Sequence, residues 1–297
     1  MPTHTPTVAI WHPDKPDSRS MQYPLIGEFW PTGLITLIYV VGCYYWRKHL
    51  IEKRAKNTPN ADKNALLQNI IVLYNFVMVL YSSCIVIGIT YSILFENLNL
   101  VRCGKYDRSS HPYTLRVMTY GYAFYISKFI ELLDTLFFLL RGKVDQITFL
   151  HVFHHAAMPP SLWWGMRYSP GGVLIIFPLI NSFIHVLMYT YYGLAALGAY
   201  KYLWWKEYLT QAQMLQFAIM IVHQSQVFWP GSKCEDPKAF PAAIMAYSAL
   251  FLVLFGNFYV KAYMKKQRLA KKEADFKSTV RQSQVSNGIA TTTKKQQ

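Results

Sequence analysis

The sequence predicts an all-α membrane protein with seven transmembrane helices, and three observations carry that reading. Of its 297 residues, 53% are hydrophobic and only 15% are charged. The apolar residues gather into runs of about 20, the length a helix rising 1.5 Å per residue needs to cross a hydrocarbon core of about 30 Å. The basic residues collect in alternate connections between those runs, as sorting of membrane topology requires. No internal repeat and no second domain is visible. The chain divides into a seven-span domain, residues 1–264, and a basic tail, residues 265–297.

The first run, 25–46, is too long for the apolar part of a signal peptide and lacks a small-residue cleavage site, so it is expected to stay. The second, 65–95, is long enough to tilt or to project beyond the bilayer. The others are 115–140, 147–165, 173–197, 209–229 and 241–264. Seven crossings leave the two ends on opposite sides. Placing 47–64, 141–146, 198–208 and the tail from 261 in the cytosol puts 20 of the 30 Lys and Arg residues there, with 9 opposite and Lys128 inside a span. The amino terminus is then lumenal. The tail, basic and then rich in Ser, Thr and Gln without an apolar period, is expected to be disordered.

Polar residues inside the spans converge on one depth. The third run carries Lys128, Glu131, Asp134 and Thr135 in its cytosolic half, and the fourth carries His151, His154 and His155 in the pattern HVFHH. By helical rise those histidines lie roughly 6 to 12 Å inside the membrane, and spacings of three and four put all three on one helical face. The fifth run offers the stripe Asn181, His185, Tyr189 and Tyr192, and the sixth begins with Gln213 and Gln216. A lone amide in a span is ordinarily glue between helices. Four spans directing acids, amides, phenols and imidazoles to one layer point instead to a functional site. Pro159 and Pro160, just beyond the histidines, deprive the carbonyls of His155 and Ala156 of amide donors and predict a kink there, either ordinary or widening a cavity.

Several chemistries fit such a layer. Di-iron membrane oxidases use HxxHH, but two irons need many ligands, and only five of the nine histidines fall within the later spans. A single metal on His151, His155 and His185 stays open, since imidazole suits Zn and Fe. His223 lies too deep in the sixth run to join and reads as a packed or hydrogen-bonded histidine. Thiolate chemistry is disfavoured by position, with Cys43 and Cys84 in the first two runs and Cys103 and Cys234 in lumenal loops. The last two face an oxidising compartment and are expected to pair. Imidazole itself, titrating near about 6.5, then serves as nucleophile, base or electrophile. A non-enzymatic seven-span receptor or transporter remains the other reading, although a receptor would open its cavity outward.

KFIELLDT (Lys128 to Thr135), HVFHH, NSFIHVLMYTYY (Asn181 to Tyr192) and TQAQMLQF (Thr210 to Phe217) resemble, in order, the four motifs of the elongases of very-long-chain fatty acids. The resemblance implies the condensing enzyme of microsomal chain elongation, which joins a long-chain acyl-CoA to malonyl-CoA and releases carbon dioxide, CoA and a 3-oxoacyl-CoA two carbons longer. It also implies spans two to seven forming a helical barrel around an acyl tunnel, with span one peripheral. No cofactor or metal is expected. The expected partners are the two CoA substrates, the endoplasmic reticulum membrane, and the reductases and dehydratase of the elongation cycle; a homo-oligomer is allowed and no nucleic acid is expected.

On this reading His154 is the candidate nucleophile and His185 its partner. His151, His155, Asn181 and Tyr189 supply orientation and oxyanion contacts. Glu131 and Asp134 orient imidazoles, with Lys128 balancing their charge. Gln213, Gln216 and Tyr192 are placed against substrate. The CoA phosphates are assigned to Arg141, Lys143, Lys201, Lys206, Lys265, Lys266 and Arg268. A ternary complex, in which the imidazoles act only as acids, bases and donors, stands beside the acyl-histidine route. Cys103 and Cys234 are the expected disulfide. The final KKQQ resembles a dilysine retrieval signal read in the cytosol.

Overall fold

The computed structural model describes residues 15–55, 65–96, 109–232, 234 and 237–265, and among these residues there is helix and no strand. Contacts divide the chain into two units, residues 1–250 and 251–297. The first unit holds α1 (Trp30–Ala55), α2 (Ala65–Phe95), α3 (Pro112–Ile130), α4 (Leu132–Leu140), α5 (Phe149–Tyr168), α6 (Ile176–Ala196), α7 (Lys206–Ser225) and most of α8 (Ala239–Tyr259). The second begins within α8 and includes a wider turn at Val260–Met264.

Three helical segments, Ala65–Phe95, Gly172–Ala196 and Ala239–Met264, are long and apolar enough to cross a membrane, with mean hydropathy of 2.3, 1.9 and 2.0. α5 and α7 are diluted by the histidines and glutamines noted above, and the third run is interrupted. Leu66, Leu73, Leu80, Ile87 and Leu94 form an exposed stripe along α2. α1 likewise exposes Leu34, Leu37, Ile38 and Val41 between Trp30 at one end and Tyr44, Tyr45 and Trp46 at the other. In water such continuous apolar faces are unaccounted for, whereas lipid covers them and places aromatic rings at its interfaces. The chain is an integral membrane protein.

Local chemistry sets several boundaries. The first helix starts at Trp30, not at residue 25, because Leu25 adopts φ +67° and turns the chain. It then runs on to Ala55, nine residues past the expected end of the first run. The segment before it is held by the end of α5. Asp17 N and Ser20 Oγ donate to Arg167 O at 2.9 and 3.2 Å, and the Arg167 guanidinium donates back to the carbonyls of Ile26 and Gly27. α4 and α6 end alike. Gly142 (φ +63°) and Gly198 (φ +76°) take the left-handed conformation; their own amides donate to the carbonyls of Leu139 and Ala195, and the amides of Lys143 and Ala199 beyond them donate to those of Phe138 and Leu194. Those pairs are glycine-terminated helix ends, visible in the sequence as LRGK and LGAY.

The most extensive helix pair is α2 with α6. Ile85 and Ile89 of α2, Val117 and Phe124 of α3, and Ile175 form a buried cluster beside them. α1 rests on α5 and α4. Its Thr32 hydroxyl meets the buried Tyr125 hydroxyl at 2.6 Å, so its contact with the rest of the unit is polar as well as apolar. The proline pair does not break α5, which runs unbroken through Pro159 and Pro160. Ser161 Oγ donates to Ala157 O at 2.8 Å in the same stretch.

Candidate active site

The third run is not one helix. It breaks at Glu131 (φ −63°, ψ −18°), between α3 and α4, and the break gathers Ser127 and Lys128 from one side with Asp134 and Thr135 from the other. Glu131 Oε1 accepts from Lys128 Nζ at 2.7 Å and from Ser127 Oγ at 3.0 Å, and His185 Nδ1 of α6 lies 3.2 Å from it. Lys128 and Glu131 are 2% and 1% exposed, so the pair is held out of water and its opposite charges offset each other. A carboxylate only accepts, so the bond to His185 places that imidazole's proton on Nδ1 and its lone pair on Nε2. The second oxygen of Glu131 is buried without a hydrogen-bond partner among the described residues.

Lys128 also ties the helices together. Its ammonium donates to Asn181 Oδ1 of α6 at 3.0 Å and stands 4.2 Å from the centre of the Phe124 ring. Asn181 Nδ2 in turn donates to Gln216 Oε1 of α7 at 3.4 Å. Asn181, expected to contact an oxyanion, thus has its amide engaged on both sides. Asp134 meets a phenol and not the imidazole it was expected to orient: Tyr189 Oη donates to its Oδ2 at 2.8 Å. Tyr189 is fully buried, with the Tyr74 ring of α2 edge-on at 5.9 Å and His185 at 5.7 Å.

The histidine motif occupies the first turns of α5. Thr148 precedes the helix, and its hydroxyl accepts from His151 N at 3.2 Å, giving the N-terminal cap. His151 Nε2 is 2.7 Å from Thr135 Oγ1, and Thr135 Oγ1 is 2.9 Å from Tyr39 Oη of α1. The ring centres of His151 and His155 are 4.5 Å apart, and those of His154 and His155 are 5.4 Å apart. Among the described residues, no three His, Cys, Asp or Glu side chains are grouped as a metal ion would require.

Other expected site residues lie farther out. Tyr192 is 37% exposed, its ring edge-on to Tyr189 at 6.2 Å. Gln213 Nε2 reaches Met188 Sδ at 3.9 Å. Arg141 and Lys143 are exposed between α4 and α5, and Lys201 and Lys206 are exposed around the start of α7. Lys265 is exposed in the second unit, while Lys266 and Arg268 lie outside the described residues. His223 Nδ1 pairs with the adjacent Gln224 Nε2 at 3.2 Å, apart from the histidine layer. Cys43 and Cys84 are free thiols, Cys234 is disulfide-bonded, and Cys103 lies outside the described residues.

Three participants were not anticipated. Ser127 stands one helical turn before Glu131, a spacing that could have revealed it. Tyr74 and Tyr39 belong to apolar helices and carry no local signal.

A family model described as the GNS1/SUR4 family matches residues 24–271. The chain is 40% identical over 262 residues to a very long chain fatty acid elongase of Aedes aegypti, covering 87% of this chain and 70% of that protein. It is 38% identical over 255 residues to very long chain fatty acid elongase 7 of Drosophila melanogaster, covering 85% and 74%. It is also 38% identical over 255 residues to very long chain fatty acid elongase 1 of Homo sapiens, covering 85% and 88%.

Proposed function

The chain belongs to the GNS1/SUR4 family and is a condensing enzyme of fatty acid elongation, and from that premise we propose that the Glu131 break and the HVFHH motif form its reaction centre. The reaction joins an acyl-CoA to malonyl-CoA, releasing carbon dioxide and CoA and yielding a 3-oxoacyl-CoA. Family membership sets aside the desaturase and the receptor or transporter readings. The observation that carries the site assignment is the buried Lys128, Glu131 and His185 contact, which brings two of the four motifs together.

In the proposed first step an imidazole nitrogen, that of His154, attacks the acyl thioester carbon. The N–C bond forms as the C–S bond breaks, and CoA departs as its thiol. His185, with its lone pair on Nε2, takes the proton from His154 and passes it to the departing CoA sulfur. Malonyl-CoA then binds and loses carbon dioxide, and the resulting enolate attacks the acyl carbon. The new C–C bond replaces the N–C bond, and the histidine leaves as it takes up one proton from solvent. The thioester oxygens take their negative charge beside Lys128 and the remaining imidazoles.

The same reading places seven spans in the endoplasmic reticulum membrane, with the amino terminus lumenal. It is supported by the charge asymmetry and by the aromatic residues at both ends of α1. Exposed Arg141, Lys143, Lys201 and Lys206 then sit at the cytosolic surface, where CoA phosphates remain hydrated. The test is carbon dioxide release from carboxyl-labelled malonyl-CoA by protein purified in detergent. Release that requires a long-chain acyl-CoA, with a 3-oxoacyl-CoA product, is expected. Release independent of acyl-CoA, or none, contradicts the reading.

A further inference from the structure

We propose that Tyr39 and Thr135 are positioning residues for His151, linked to it in a hydroxyl relay through which the first membrane helix enters the catalytic machinery. Three atoms are joined by two short contacts. Tyr39 Oη lies 2.9 Å from Thr135 Oγ1, which lies 2.7 Å from His151 Nε2. Thr135 is 1% exposed, so its hydroxyl does not exchange these partners for bulk water. Each hydroxyl has a single proton to donate and two lone pairs to accept with, so the two bonds are coupled through the one Thr135 proton. When Tyr39 donates to Thr135, that proton is free to go to Nε2, and the His151 proton then sits on Nδ1; when Thr135 donates to Tyr39, it can only accept from Nε2–H. The relay holds the ring's orientation and couples its tautomer to the direction of the Tyr39–Thr135 bond.

His151 has little freedom of its own otherwise. Its amide is bonded to the Thr148 cap at 3.2 Å, the Phe138 ring centre is 5.3 Å away, and the His155 ring centre is 4.5 Å away. The Tyr39 ring stands 6.4 Å from His155, so the same tyrosine borders a second imidazole of the motif. An ordinary interhelical hydrogen bond would hold α1 to α4 and do no more. The difference here is that the bond ends on an imidazole nitrogen of the motif.

The proposal rests on the histidine site carrying the reaction, and the experiment separates the two. Purified full-length variants Thr135→Val, Thr135→Ser, Tyr39→Phe, the Tyr39→Phe/Thr135→Val double and His151→Gln are compared for kcat, for acyl-CoA KM and for thermal unfolding in detergent. Thr135→Val keeps the shape and removes the hydroxyl, and its kcat is expected to fall about tenfold, the loss that follows from one such hydrogen bond, with KM unchanged. Thr135→Ser restores most of that loss. Tyr39→Phe lowers kcat by a smaller factor, and the double variant is no worse than Thr135→Val, because serial members of one relay are not additive. Wild-type kcat in both Thr135→Val and Tyr39→Phe, with only unfolding temperatures lowered, overturns the relay. If Thr135→Val does not fold, wild-type kcat in Tyr39→Phe, which loses a single oxygen, is sufficient to overturn it. Wild-type turnover in His151→Gln instead overturns the histidine reading on which the relay rests.

Discussion

Glu131 Oε1 receives Lys128, Ser127 and His185 within 3.2 Å, so one oxygen both offsets a buried ammonium and sets a tautomer. Glu131→Ala leaves Lys128 uncompensated, and about 3–5 kcal/mol of stability should be lost, read as a fall in folded yield and unfolding temperature. Glu131→Leu combined with Lys128→Met removes both charges and should recover most of the folded yield while leaving turnover abolished. Recovery of turnover in the double variant would reduce the pair to a structural role. These residues were legible in the sequence because charged groups inside an apolar run demand an explanation. Their partners were not. That Asp134 serves a phenol and Asn181 a lysine depends on side chains more than 50 residues away in the chain, where no local pattern reports.

At the scale of elements, the histidine motif depends on the first turn of α5, whose one side-chain cap is Thr148. Thr148→Ala should cost about 1 kcal/mol and loosen His151 before it affects the rest of the helix. Turnover should therefore fall more than unfolding temperature suggests, and Thr148→Ser should restore both; no change in either would show the cap to be dispensable. Five of the seven apolar runs were placed within three residues of an observed helix, helix pair or helical segment, because a long apolar run is a local signal. The break at Glu131 was invisible, since KFIELLDT has no proline or glycine to mark it. The contribution of α1 was equally hidden: Tyr39 is one of 22 tyrosines and meets Thr135 across 96 positions.

At the scale of the molecule, the proposed function links membrane insertion, orientation and reaction, because on the proposed orientation the polar layer lies near the cytosolic surface, where it would admit CoA and leave the acyl chain in hydrocarbon. The proposed lumenal side should carry the disulfide of Cys234 with Cys103. Non-reducing peptide mapping should recover the two in one cross-linked peptide, and a different partner for Cys234 would count against the topology. The central claim, that a histidine of HVFHH carries the acyl group, is tested most directly by incubating purified enzyme with long-chain acyl-CoA alone. The account predicts about one equivalent of CoA released per active site, with a mass increase of one acyl group on a histidine-bearing peptide, expected at His154. No CoA release and no adduct, in a preparation that turns over normally once malonyl-CoA is added, would contradict it and leave the ternary-complex route.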